Sequence, residues 1–253
     1  MNSSGWSLLT RYRAELHVHT VLSPCAEVEM IPPLIVESAL DLGINLIAIT
    51  DHNASANVAA VQKAAEGTPL VVLPGMELQT AEEVHCLCLF DHLDQLDHFQ
   101  KIVTPSLPPI KNQPDHFGGQ FVVDATGEFI RHEDQLLLVS SSLTMSTAFN
   151  WVNSLGGLFI PAHVNRKAFG LLEILGFVPD DIPLEALEIS RHMTVQDAPK
   201  VHPQIKDFPL IRGGDAHRLD ELLGANEFFV ETPAIHEIKL AMRSSEGRSM
   251  NVT

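Results

Sequence analysis

An α/β fold, either a parallel barrel or a doubly wound sheet, is predicted by three observations. Short apolar runs alternate with helical stretches along the chain. Some runs, such as "NLIAIT" and "PLVVLPG", are apolar throughout, as strands covered on both faces are. Polar residues gather at the carboxyl ends of these runs, where sites lie in parallel α/β folds.

The elements follow in order. "AELHV" is the first strand. "PLIVESALDLGI" reads as a helix, with Leu34, Ser38 and Leu42 near helical spacing, Pro33 near its start and Gly43 as its stop. "NLIAIT" is a buried strand, a helix runs from about Ala54 to Ala65, and "PLVVLPG" is the next strand. "EVHCLCLF" alternates and forms another. "GLFIPA", "LEALEIS", "FPLIRGG" and "EFFVE" supply four more. Residues 104–121 are rich in Pro, Gly and Asn and read as loop. "FVVDATGEFI" then predicts a hairpin turning at Asp124–Gly127, with "QLLLVSS" as its partner strand. Residues 91–150 are thus an insertion or lid-like excursion within a single domain spanning 1–253.

At 253 residues the chain is long enough for a large core, and 45% hydrophobic content marks it as globular. Its 32 acidic residues against 16 basic ones give a net charge of −16. That lacks the basic footprint of a protein gripping long nucleic acid, so duplex nucleic acid is not expected as a partner. Three cysteines, an odd number, argue for a reducing compartment, and a cytoplasmic location is expected. "MNSSGWSLLTRYR" has too short an apolar stretch for a leader, and no run is long enough to span a membrane.

The strand ends carry the chemistry. His17 and His19 lie two apart, and in a strand residues i and i+2 share a face, so two imidazoles aim at one point. "NLIAIT" is followed by Asp51 and His52, "PLVVLPGM" by Glu77, "GLFIPA" by His163, and "FPLIRGG" by Asp215 and His217. Five strands therefore deliver metal-competent residues to one end. His85 lies at the start of its strand instead. A hairpin turning near Ala81 places it opposite Glu77, which predicts one antiparallel strand in an otherwise parallel barrel. Cys25, on the loop leaving the first strand, is either a small packing residue or a thiolate ligand. Cys86 and Cys88 alternate with His85 and read as packing residues; His92, His98, His116, His132, His202 and His236 read as solvated.

Together, "ELHVHT", "ITDHN", "GMELQT…EVHCLCLF", "PAHVNR" and "GGDAHR" resemble the PHP family, named for polymerase and histidinol phosphatase, over residues 14–230. The resemblance implies a distorted (β/α)7 TIM-like barrel holding two or three divalent metal ions, such as zinc, manganese or iron, and a hydrolase acting on phosphate esters. It implies metal ligands at His17, His19, His52, Glu77, His85, His163, Asp215 and His217. The remaining ligand position falls on Cys25, where histidine or a carboxylate is usual in the family. The short Glu77–His85 spacing looks like the small stand-alone phosphoesterases.

The expected reaction is hydrolysis of a small phosphate ester or nucleotide phosphate by metal-activated water. Asp215 or His192 is a candidate general acid. Arg166, Arg191 and Arg218 follow predicted strand ends and are candidates to clamp phosphate oxygens, Arg166 also for a catalytic role. The alternatives are a metal-dependent amidohydrolase or deaminase and a non-catalytic metal-binding barrel. The sequence leaves the exact substrate, native metal and oligomeric state open.

Overall fold

Leu46–Ile49 shows why the sheet lies where it does: Leu46 and Ala48 pack into one apolar cluster and Ile47 and Ile49 into another, so the strand is buried on both faces. The computed structural model describes residues 8–253. Residues 1–7, the start of the segment read as lacking a leader, lie outside the described residues. The strands are β1 Thr10–Val18, β2 Leu46–Ile49, β3 Val71–Gln79, β4 His85–Leu89, β5 Phe121–Val123, β6 Phe129–His132, β7 Leu158–Pro161, β8 Leu187–Ser190, β9 Leu210–Gly213, β10 Asn226–Val230 and β11 Ser249–Val252. Seven form one curled sheet in the order β11-β10-β1-β2-β3-β4-β7; β8 and β9 pair separately, as do β5 and β6. A parallel bridge from Val18 of β1 to Ala216, just past β9, and a bond from the Val164 N–H, just past β7, to the Glu188 carbonyl link the β8–β9 pair to β1 and β7.

Strands β1, β2 and β3 are mutually parallel, and β4 runs antiparallel to both β3 and β7. The antiparallel β4 meets the expectation. β10 and β11 do not: β10 pairs antiparallel with β1 and β11 antiparallel with β10, so β4 is not alone. The reason is the connection. Between β9 and β10 the chain makes only one short 3-10 turn, Leu219–Glu221, and a parallel return needs a crossover, usually helical.

Other expectations shift. The helix Pro32–Asp41 buries Pro32, Ile35, Val36 and Ala39, so its inner face is offset from the Leu34–Ser38–Leu42 line. The next helix begins at Val58 rather than Ala54, because Ala54–Asn57 is spent on the turn after β2. The β5–β6 hairpin turns as expected on Asp124, whose carboxylate accepts the Thr126 and Glu128 N–H groups. "QLLLVSS" is not a strand. Its carbonyls at Leu137 and Val139 instead accept from the Asn53 side chain, 2.8 Å each, which straps this segment beside β3.

The β3–β4 register also differs. Gln79, not Glu77, stands opposite His85, and Glu77 faces Leu87. The Thr80 N–H donates to the Val84 carbonyl, so the loop is Ala81–Glu82–Glu83, with Glu83 in the left-handed region at φ 67°. A three-residue loop ending in a left-handed residue is a standard hairpin closure, and it centres the turn on Glu82. His85 still reaches Glu77 as a diagonal neighbour on the same face. No helix among the described residues is long and apolar enough to cross a membrane.

Candidate metal centre

The strand-end residues converge. β1 carries one extra residue relative to β2 between Glu15 and Val18, a bulge that spans Leu16 and His17. His17 Nε2 and His19 Nε2 come to 3.1 Å, with Glu77 Oε1 at 3.2 Å and Asp215 Oδ1 at 3.3 Å from His17 Nε2. Asp215 Oδ1 is also 3.3 Å from His19 Nε2. Glu77 sits at the middle of the cluster: its Oε1 lies 2.9 Å from His85 Nδ1 and 3.1 Å from His163 Nε2, and its Oε2 2.9 Å from His52 Nδ1. His217 stacks on His19 with ring centroids 4.1 Å apart. Cys25, exposed at the rim, meets His52 and His217. All nine residues expected as ligands are therefore in one place.

Proton bookkeeping tests whether this set fits a cation. Glu188 only accepts, so His17 Nδ1–H donates to it at 3.0 Å, leaving a lone pair on His17 Nε2. Ser23 Oγ–H donates to Asp51 Oδ1 at 2.7 Å, so Ser23 Oγ accepts from His19 Nδ1–H at 2.9 Å, leaving a lone pair on His19 Nε2. With both rings neutral, two imidazole lone pairs and two carboxylates thus converge on one point. His85 Nε2 and His163 Nδ1 are likewise buried without a hydrogen-bond partner. Such a donor set fits a divalent cation. His17, His19, Glu77 and Asp215 offer ligand atoms all within 4.8 Å of one another, as do His52, Glu77 and His85, and His19, His52 and His217.

The electrostatics show how strongly the buried carboxylates demand positive charge, from a proton or a cation. Burial would raise Glu77, but His85, His17 and His52 around it hold its carboxyl well below the usual range. Burial likewise opposes ionisation of Asp215, yet His17 and His19 depress it strongly. Asp215 is therefore held as a charged partner of the two histidines. Burial would lower His17, but Glu188, Glu77 and Asp215 raise it well above an ordinary imidazole. His19, buried beside His217 and His52, is driven well below one. Burial would raise the Cys25 thiol; hydrogen bonds with His217 and His52 bring it down to about 6.

Sequence reading missed the supporting carboxylates. Glu188, fully buried in β8, holds His17 and also accepts the His163 N–H at 2.9 Å. Glu15, buried in β1, accepts the N–H groups of Gly214, Leu223 and Gly224 and so fixes the loop carrying Asp215 and His217. The glycine pair of "RGGDAH" makes room for both carboxylates: a Cβ on Gly213 would lie 2.2 Å from Glu188 Oε2, and one on Gly214 2.7 Å from Glu15 Oε2. Glu15→Ala strands three N–H groups, and a loss of about 3 kcal/mol in unfolding free energy is expected by chemical denaturation. A loss below about 1 kcal/mol would refute the strap. His163 and Asp215 adopt left-handed backbone, φ 31° and 49°, strain of the kind that clusters at functional sites.

The expected phosphate-binding residues border a cleft of about 450 Å³ shared by Cys25, Asp215 and His217. Arg166 pairs with Asp215; Arg191 and Arg218 share Glu221, at 2.7 and 3.1 Å. His192 lines the same cleft, exposed and outside the ligand cluster.

Fold and site together define a metal-binding α/β protein of the divalent-cation class. The PHP domain model matches residues 15–149, just over half of the chain, and the protein belongs to that family. Comparison with curated proteins gave no match. Among solved structures, the chain is similar to the lesion-specific endonuclease PfuEndoQ from Pyrococcus furiosus (20% identity, TM-score 0.70), covering 95% of this chain and 58% of that one. Endonuclease Q in complex with a 27-mer duplex bearing an abasic lesion at its active site is similar at 18% identity and TM-score 0.67, with 96% and 58% coverage. A protein described as a metal-dependent phosphoesterase from Bifidobacterium adolescentis follows at 17% identity and TM-score 0.55, with 81% and 87% coverage. The chain thus spans 58% of the length of the endonuclease Q chains. At these identities the likeness shows the fold.

These comparisons correct one expectation. Duplex nucleic acid was excluded on net charge, yet a protein of this fold holds a duplex at its active site. The charge argument failed because a whole-chain sum is screened within about 10 Å at moderate salt, whereas contact depends on the local field.

Proposed function

We propose that the protein is a metal-dependent phosphoesterase, a hydrolase of phosphoric ester bonds, acting on a nucleotide phosphate ester either free or within a strand. The observation that carries this is the convergence of His17 Nε2, His19 Nε2, Glu77 and Asp215 on one buried point. The strands β1, β2, β3, β4, β7, β8 and β9 are read as a distorted (β/α)7 barrel forming one domain over 1–253, with 91–150 as its excursion.

Two or three divalent ions are assigned to the three overlapping residue groups: His17, His19, Glu77 and Asp215; His52, Glu77 and His85 with His163; and His19, His52 and His217 with Cys25. Zinc, manganese and iron all suit a set dominated by imidazole and carboxylate. When bound, they would supply Lewis acidity toward the phosphate and an activated water. The chain does the rest. Glu188 and Ser23 hold His17 and His19 in the tautomers that point Nε2 inward. Arg166, released from Asp215 by an incoming phosphate, binds its oxygens, and Arg191 and Arg218 steer the anion from the rim. His192, which lines the same cleft, is assigned as the donor of a proton to the departing oxygen.

The test is elemental analysis of metal-loaded, desalted protein alongside hydrolysis of a phosphomonoester, a phosphodiester and a cyclic amide, before and after chelation. Two or more ions per chain and chelator-sensitive phosphoester hydrolysis are expected. Metal content near zero, or turnover of the amide alone, would overturn the reading.

A further inference from the structure

The loop after β7, "HVNRKAFG" (residues 163–170), delivers three different groups to one cavity of about 300 Å³: His163, Arg166 and Phe169. Leu138, from the segment strapped by Asn53, forms another part of its wall. His163 and Arg166 have the roles argued above. Phe169 has none in that chemistry, yet the chain goes to some length to place it.

Its backbone lies in the left-handed region at φ 58°, an outlier for a bulky side chain that costs free energy. Neighbouring contacts enforce it. The Phe169 carbonyl accepts the His85 N–H at 3.1 Å, and the turn is so tight that a Cβ on Gly170 would lie 2.2 Å from the Arg166 carbonyl oxygen. The ring stacks on His85, with centroids 4.4 Å apart and planes 3° from parallel. One ring face is thereby fixed, while the residue remains 37% exposed. Phe129, Trp151 and Phe177 are more exposed, but none of them borders this cavity.

We propose that Phe169 is the stacking platform for the base of a nucleotide whose phosphate lies at Arg166 and the histidine cluster. This rests on the phosphoesterase reading, which names a nucleotide phosphate ester, and assigns the residue that would hold the base. A ligand bridging these groups needs an anion at one end and a flat apolar group at the other, which a nucleotide combines and a sugar phosphate does not. Stacking on an aromatic ring is sequence-tolerant, because every base has a π-face. Phe169 is then a specificity-determining residue and takes no part in proton transfer.

The experiment is calorimetric binding of adenosine 5′-monophosphate and of ribose 5-phosphate to the intact protein. The wild type is expected to prefer the nucleotide by about 5- to 100-fold, the range that one stacked base contributes. In Phe169→Leu, which keeps an apolar cover on His85, the ratio of the two Kd values falls toward one; in Phe169→Tyr it returns. A wild-type ratio near one, or a ratio that Phe169→Leu leaves intact, overturns the platform. A 5′-phosphorylated single-stranded trinucleotide separates the two sources of the base: tighter binding than the mononucleotide assigns a strand end, and equal binding a free nucleotide. Because binding is read rather than turnover, the platform can fail while phosphoester hydrolysis stands, and the reverse.

Discussion

Glu77→Gln is expected to lower turnover of a phosphate ester by about 10³-fold or more, since the metal contribution is worth several kcal/mol and each 1.4 kcal/mol is tenfold. Glu77 belongs to two of the three ligand groups and lies within 3.2 Å of His17, His52, His85 and His163. The amide has the same shape, so no cavity opens. One oxygen becomes an NH2 group, which has no lone pair to offer and points protons into a set of acceptors. Bound metal per chain should fall with it, read by elemental analysis after desalting. Near-wild-type metal content together with full turnover would remove Glu77 from the centre.

Glu188→Ala is expected to act on stability and metal affinity together. The side chain is fully buried and accepts both the His17 ring N–H and the His163 backbone N–H. Truncation leaves two buried donors without partners, at about 1–3 kcal/mol each, so unfolding free energy should drop by about 2–6 kcal/mol. It also frees His17 to rotate and change tautomer, and loss of such a supporting carboxylate costs about 10- to 100-fold in metal affinity. Chemical denaturation reads the first effect and a competitive metal titration the second. Glu188→Gln keeps one acceptor oxygen and a foldable core, so it should fall between wild type and alanine in both. Unaltered metal affinity in the glutamine variant would show that Glu188 only fills space.

The legible part of the site was local. His17 and His19 lie two residues apart, and the strand period predicts that both aim at one point; Asp215 and His217 have the same spacing but lie past the end of β9, on a turn with Asp215 in the left-handed region. Glu77 and His85 were placed on one hairpin, and the structure keeps them in contact at 2.9 Å although their register differs. That register was illegible because a loop closing on a left-handed glutamate looks like any other glutamate in sequence. Glu188 and Glu15 were illegible for a related reason. A carboxylate in an apolar strand declares itself only when its partners are known, and those partners lie 171 and 199 residues away in sequence, at His17 and Gly214.

By itself, then, the sequence determined the residue types at the strand ends, the alternation that makes an α/β sheet, and the antiparallel β4, all consequences of short-range periodicity and turn chemistry. The tertiary structure decided which nitrogen of each histidine faces the centre, that Asp215 is an ionised partner of Arg166, that Arg191 and Arg218 are tied to one carboxylate, and that Phe169 borders the cavity beside His85. Each of these depends on distances between segments far apart in the chain. Proton placement and electrostatic fields fall off over a few ångströms in space, not over residues in sequence.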